Sequence, residues 1–197
     1  MRLIGAIIVR RNRVRYVSLP ASSIPAMTRS SCIAALAFAL ASAAAPALAQ
    51  QAKGTLEANG RSASLSHAIA VEVDSTTEPG YLDVVVVVSD RKVSARDARD
   101  AALLEGKVRS EGLVALRVVL NPDTRVMSAE PLHPAFTTFV SSALWVRFVP
   151  SAYDEKKVAG RFHTPGRQNE FRQQWSYDVT FAAPIALDPA AKTVPRK

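Results

Sequence analysis

His67, His133 and His163 are the side chains of this chain best suited to carry protons or hold a transition metal near neutral pH. Their spacing argues against a local metal motif, because no two of them lie close enough for one strand or helix turn to bring them together. Glu130-Pro-Leu-His133 has the i, i+3 spacing of a helical metal motif, but Pro131 and Pro134 forbid the helix that makes that spacing useful. His67 is the more informative residue. It shares a parity with Leu65, Ile69 and Val71, which places it on an inward face, either as a hydrogen-bonded core or pocket-rim histidine or as the wall of a ligand cavity. Ser89-Asp-Arg-Lys92 fits the Ser-x-x-Lys pattern of penicillin-recognising enzymes, where a helix turn lays the lysine on the serine. Here the serine ends a run of valines, so a turn and a coincidence are expected. Trp145 and Arg147 together suggest an exposed aromatic and cationic contact for a ligand. The chain has no Gly-x-Ser-x-Gly elbow, no phosphate-binding glycine loop and no zincin motif.

The elements that must position these residues are mainly strands. Asn59-Gly60 between two extended runs signals a tight hairpin, since both turn positions need positive φ. Residues 62–74 then alternate with a period of two, as a strand with one buried face does. Val84-Val-Val-Val-Val88 is β-branched and too apolar to leave either face in water, which predicts a central strand covered on both sides. Ser94, with Asp97 three residues on, resembles a capping box and predicts one helix from Ala95 to about Val108 as the cover. A second hairpin is expected at Asn121-Pro-Asp-Thr124, a strand over 144–149 stopped by Pro150, and a last strand in which Phe171, Gln173, Trp175, Tyr177, Val179 and Phe181 face inward. Strands joined by short turns, with one helix and no βαβ alternation, give a mainly β fold: an antiparallel sandwich or a small barrel.

Residues 27–49 supply the compartment. Arg29 is followed by an apolar run from Cys32 to Ala45, Pro46, and then Ala47-Leu48-Ala49, the arrangement of a secretory signal peptide cleaved between Ala49 and Gln50. Residues 1–26 read as an upstream extension before a start at Met27, with a twin-arginine signal or a transit peptide as alternatives. The formal charge of +8 misleads, because six basic residues and no acidic one precede residue 50. The remainder carries 19 basic and 17 acidic side chains, interspersed, so no nucleic-acid partner is expected. Cys32 leaves with the signal, and the exported part must fold without disulfides. No second long apolar segment follows, so no stable membrane span is expected. The expected organisation is a single β-rich domain over 50–187 and a flexible tail over 188–197.

Several short stretches are familiar: Gly54-x-Leu56-x-x-Asn59-Gly60, Leu65-Ser-His67-Ala68-x-Ala70, Val-Val-Ser89-Asp90 and Tyr177-Asp-Val-Thr-Phe-Ala-Ala-Pro-Ile185. They resemble a group of small exported bacterial proteins of unassigned function, over roughly 54–185. The resemblance implies an envelope location and a β-rich domain, and it supplies no catalytic residue. The functional expectation is a soluble periplasmic or secreted binding or interaction module without a cofactor. Its ligand-contacting residues would be His67, Trp145 and Arg147, and its partner a small ligand or an envelope protein. A metal- or His-dependent hydrolase with a pocket near His67 is the first alternative, and a structural cell-envelope component the second.

Overall fold

The computed structural model describes residues 51–187, so the upstream extension, the signal segment and the tail lie outside the described residues. Asn59 and Gly60 take φ of 48° and 79° and close the expected hairpin between β1 (Gln51–Ala58) and β2 (Arg61–Asp74). Next in sequence, β3 (Leu82–Ser89) is buried along its whole length. Val84, Val86 and Val88 join one apolar cluster, whereas Val85 and Val87 join a second on the opposite face. The valine run is thus covered on both sides, as its composition requires.

The cover on the second face is two helices where one was expected. Ser94 Oγ accepts the Asp97 N–H at 3.1 Å and starts α1 (Ala95–Arg99). Asp100 then leaves helical geometry, and its carboxylate accepts the N–H groups of Ala102 and Leu103, so the chain restarts as α2 (Ala101–Glu111). Aspartate competes with the helical backbone for these donors, which makes it a cap more readily than an interior residue. Ala98, Leu104 and Val108 bury against Ile69, Val71, Val85 and Val87, and Gly112 ends α2 at φ 68°.

Beyond α2 follow β4 (Ala115–Leu120), β5 (Val126–Leu132), β6 (Arg147–Tyr153), β7 (Lys157–His163), β8 (Gln168–Glu170) and β9 (Gln173–Ala186), antiparallel to their neighbours except where the end of β9 runs parallel to β2 at Ala70 and Val71. One nine-stranded sheet results, ordered β5-β4-β3-β2-β1-β9-β7-β6 with β8 paired to β9, and it curls into a half-barrel instead of splitting into a sandwich. The first cluster fills the concave side, drawing Leu116 and Ala129 from one border together with Val158 and Phe162 from near the other. The borders come together without a shared ladder: the Tyr153 hydroxyl donates to the Asn121 carbonyl at 3.0 Å, and the 133–146 loop crosses from β5 to β6. Gln173 fixes that loop, accepting from Thr137 N and donating to Thr138 O, each at 2.8 Å.

Prolines fall where the ladder can spare a donor. Pro150 does not stop a strand as expected; β6 runs through it with a register shift between Pro150 and Ala152. β5 likewise continues through Pro131. Both are border strands, the places where a residue without an N–H costs least. Phe171 also departs from expectation: it sits at φ 49° in the β8–β9 turn and is exposed, while the rest of its expected inward set, Gln173 to Phe181, is buried.

Asp83 is the acidic residue most at odds with its surroundings. It lies on β3 at 2 % exposure, and its Oδ1 is buried without a hydrogen-bond partner. Burial raises its carboxyl pKa above the ordinary 3.8, Ser75 opposes through a hydrogen bond, and Glu78 adds repulsion. A folded-state pKa above the unfolded one means that the domain loses stability as pH rises through that value. Asp83→Asn, which removes the buried charge and keeps the side chain's shape, is therefore expected to stabilise the domain by about 1 kcal/mol at pH 7, an ordinary size for a single substitution. The gain should disappear below the ordinary carboxylate range, and urea midpoints measured across pH check both parts.

Candidate functional site

Alternation along β2 breaks between Leu65 and Ala68. Leu65, Ala68 and Ala70 share the concave cluster, while Ile69 and Val71 belong to the helix-covered one. The β1–β2 register shifts at the same place: Gly54 pairs with Leu65 but Gln51 with His67, so β1 spends one residue more than β2 over that span. His67 falls at this switch. It does not share one inward face with Leu65, Ile69 and Val71 as its parity suggested, and it is only half-buried.

Beside it opens a cleft of about 520 Å³ with Gln51, Ser66, Lys92 and Ser89 on its walls and Ala68, Ile69 and Val93 as its apolar lining. Ser66 Oγ lies 3.0 Å from His67 Nδ1 and donates to the Asp90 carbonyl at 3.3 Å. Among the described residues no carboxylate hydrogen-bonds the other ring nitrogen, so the serine and histidine lack the third group that would orient a base. Ser89 Oγ donates to the Arg91 carbonyl at 2.6 Å and tightens the turn that leaves β3. Asp90 holds that turn in place, gripping Arg91 Nη2 at 2.8 Å and accepting the Val114 N–H at 3.3 Å. The same carboxylate raises the Arg91 pKa. Lys92 is left exposed on the cleft wall with no ion-pair partner among the described residues. The Ser89-x-x-Lys92 pair therefore shares one cleft, but in an extended turn and not on a helix, so the geometry of a serine activated by lysine is absent.

The other expected site residues lie elsewhere. Trp145 is not an exposed platform: it packs against the concave core, and its Nε1 is buried without a partner. Arg147 is exposed at the start of β6, opposite His163, and three strands of the sheet separate β6 from β2. His133 is a structural acceptor whose Nδ1 receives the Ala135 N–H at 2.9 Å; burial lowers its pKa, and the Arg61 charge adds to the effect. Among the described residues, no group of three His, Cys, Asp or Glu side chains is placed to hold a metal ion. No helix among them is long and apolar enough to cross a membrane. Comparison with protein-family models, with curated proteins and with solved structures finds no match to this chain.

Proposed function

We propose that the chain is an exported, soluble β-rich binding module of the bacterial periplasm that takes a small ligand in the cleft beside His67. The observation that carries this reading is the cleft itself, because a rigid, doubly covered sheet supports an opening of this volume, with polar donors on its walls and an apolar lining. His67, Ser66, Gln51 and Lys92 supply hydrogen-bonding groups to orient the ligand, while Ala68, Ile69 and Val93 supply contact area. Export rests on residues 27–49, and the mature chain would begin at Gln50.

The test joins the two halves of the proposal. N-terminal sequencing of the exported product should begin at Gln50. A thermal-shift screen of small sugars, amino acids and organic acids should then find compounds that raise the melting temperature. At a hundredfold excess over the dissociation constant the gain is about 2.7 kcal/mol. His67→Ala should lose the shift while keeping its own unfolding free energy within about 1 kcal/mol of the parent, since the side chain is half-exposed. A shift that survives His67→Ala would move the site away from this cleft.

A further inference from the structure

The cleft beside His67 lies at a fork in the sheet. β2 pairs with β1 as far as His67 and with β9 from Ala70 onward, so Ala68 and Ile69 stand where one neighbour replaces the other. On the other flank of β2, His67 is the register partner of Ser89, the last residue of β3 before the turn that carries Lys92 and Val93. The walls therefore come from separate segments: residues 66–69 of β2, the 89–93 stretch, and Gln51 of β1.

The hydroxyl groups of these walls are already used. Ser66 Oγ donates to the Asp90 carbonyl and contacts His67 Nδ1, and Ser89 Oγ donates to the Arg91 carbonyl. The Lys92 ammonium, the Gln51 side-chain amide and the second ring nitrogen of His67 have no hydrogen-bond partner among the described residues. Among those residues no aspartate, glutamate or aromatic ring lines the cleft. Asp90, the acid next to the wall in sequence, is spent on Arg91, which it grips at 2.8 Å and 3.2 Å, and on the Val114 N–H at 3.3 Å. One lysine charge thus stands on the wall without a counter-ion.

Taking this cleft as the ligand site proposed above, on which the step rests, we infer that it holds a small organic monocarboxylate, its acid group paired with Lys92 and its apolar body against Ala68, Ile69 and Val93. Gln51 and His67 supply the flanking hydrogen bonds. An amine or an amino acid would need a carboxylate for its ammonium, and the walls provide none. A phosphate is ordinarily met by several cations or by a row of backbone donors at a helix start, whereas this wall has one lysine and the adjacent arginine is engaged. A neutral sugar leaves the lysine unanswered and finds no ring to stack on.

The test is titration calorimetry of the exported chain, as cells process it, against matched acids and amides: benzoate with benzamide, and isovalerate with isovaleramide. Each acid is expected to bind at least about tenfold more tightly than its amide, the lower end of what a hydrogen bond to a charged group is worth. Lys92→Gln should bring acid and amide to equal affinity, and Lys92→Arg should keep the preference. Lys92 is exposed, so neither change should move the melting temperature. Inorganic phosphate at the same concentration should not displace benzoate. A preference for the acids that survives Lys92→Gln, or displacement of benzoate by phosphate, would overturn the inference. Amides or sugars that bind as tightly as the acids, and lose binding in His67→Ala, would also overturn it while leaving the cleft as a ligand site. Should no acid, amide or sugar bind at all, the ligand-site reading falls and the carboxylate with it.

Discussion

Gly54→Ala is expected to leave little or no folded domain. Gly54 lies in β1 between Leu65 of β2 and Val179 of β9, just past the bulge. A Cβ there would meet the Asp178 carbonyl oxygen at 2.1 Å, Val179 Cα at 2.4 Å and Val179 Cβ at 2.7 Å. Two of these three atoms belong to the backbone of a central strand, so neither a rotamer change nor a side-chain shift relieves the clash. The cost is expected to exceed about 4 kcal/mol, the far tail for single substitutions and a large part of a domain's whole stability. Gly106→Ala is the control. That glycine is inside α2 with nothing within 4 Å of its missing Cβ, and the change should stabilise by about 0.5–1 kcal/mol. Urea unfolding of the two variants, followed by far-ultraviolet circular dichroism, should therefore move in opposite directions.

Phe162→Ala is expected to cost about 3–5 kcal/mol, the range for deleting a buried aromatic ring and leaving its cavity. Phe162 has no solvent exposure and sits between two other rings, its centroid 4.9 Å from that of Phe148 and 4.6 Å from that of Phe181. These rings come from β6, β7 and β9, so the stack joins the border strand to the centre of the sheet. Partial collapse is hindered because Phe148 already lies over Gly160, where even a Cβ would approach its ring to 2.6 Å. The midpoint of urea unfolding should fall with an unchanged slope, as it does when stability alone is lost.

These two sites divide what the sequence makes legible from what it hides. Phe162 belongs to a class of signal that local pattern carries well. The alternation of Gln173 to Phe181, the five valines of β3, the Asn59-Gly60 turn and the Ser94 cap each follow from side-chain chemistry within a few residues, and each stands in the structure. Gly54 belongs to the other class. Its necessity comes from Asp178 and Val179, more than a hundred residues away, and from a bulge that no residue of β1 announces.

The candidate site was harder to read for the same reason. Simple alternation put His67 in line with Leu65, Ile69 and Val71, but β2 changes face between Leu65 and Ala68, where its register with β1 shifts, and this leaves His67 at the mouth of a cleft. Lys92 is adjacent to that cleft only because Asp90 anchors the turn to the start of β4, a contact 24 residues distant. Trp145 offered a plausible contact surface as a residue type, yet its position in the crossing loop turns it into the core. Pro150 misled in the opposite sense, and Pro131 is its counterpart on the other border. A proline terminates an interior strand, and only the sheet order reveals that these two lie on borders.

Those two prolines bear on how the molecule behaves in a crowd. A curled sheet that does not close exposes two lines of backbone to which a stray extended segment from a neighbour can add, the opening step of fibre growth. Pro131 and Pro150 each take one backbone donor out of a border strand, and the register shift after Pro150 interrupts the regularity of its line. Without covalent cross-links to hold it shut, the open cylinder is protected from recruiting its own kind by the residues that make its rims poor partners.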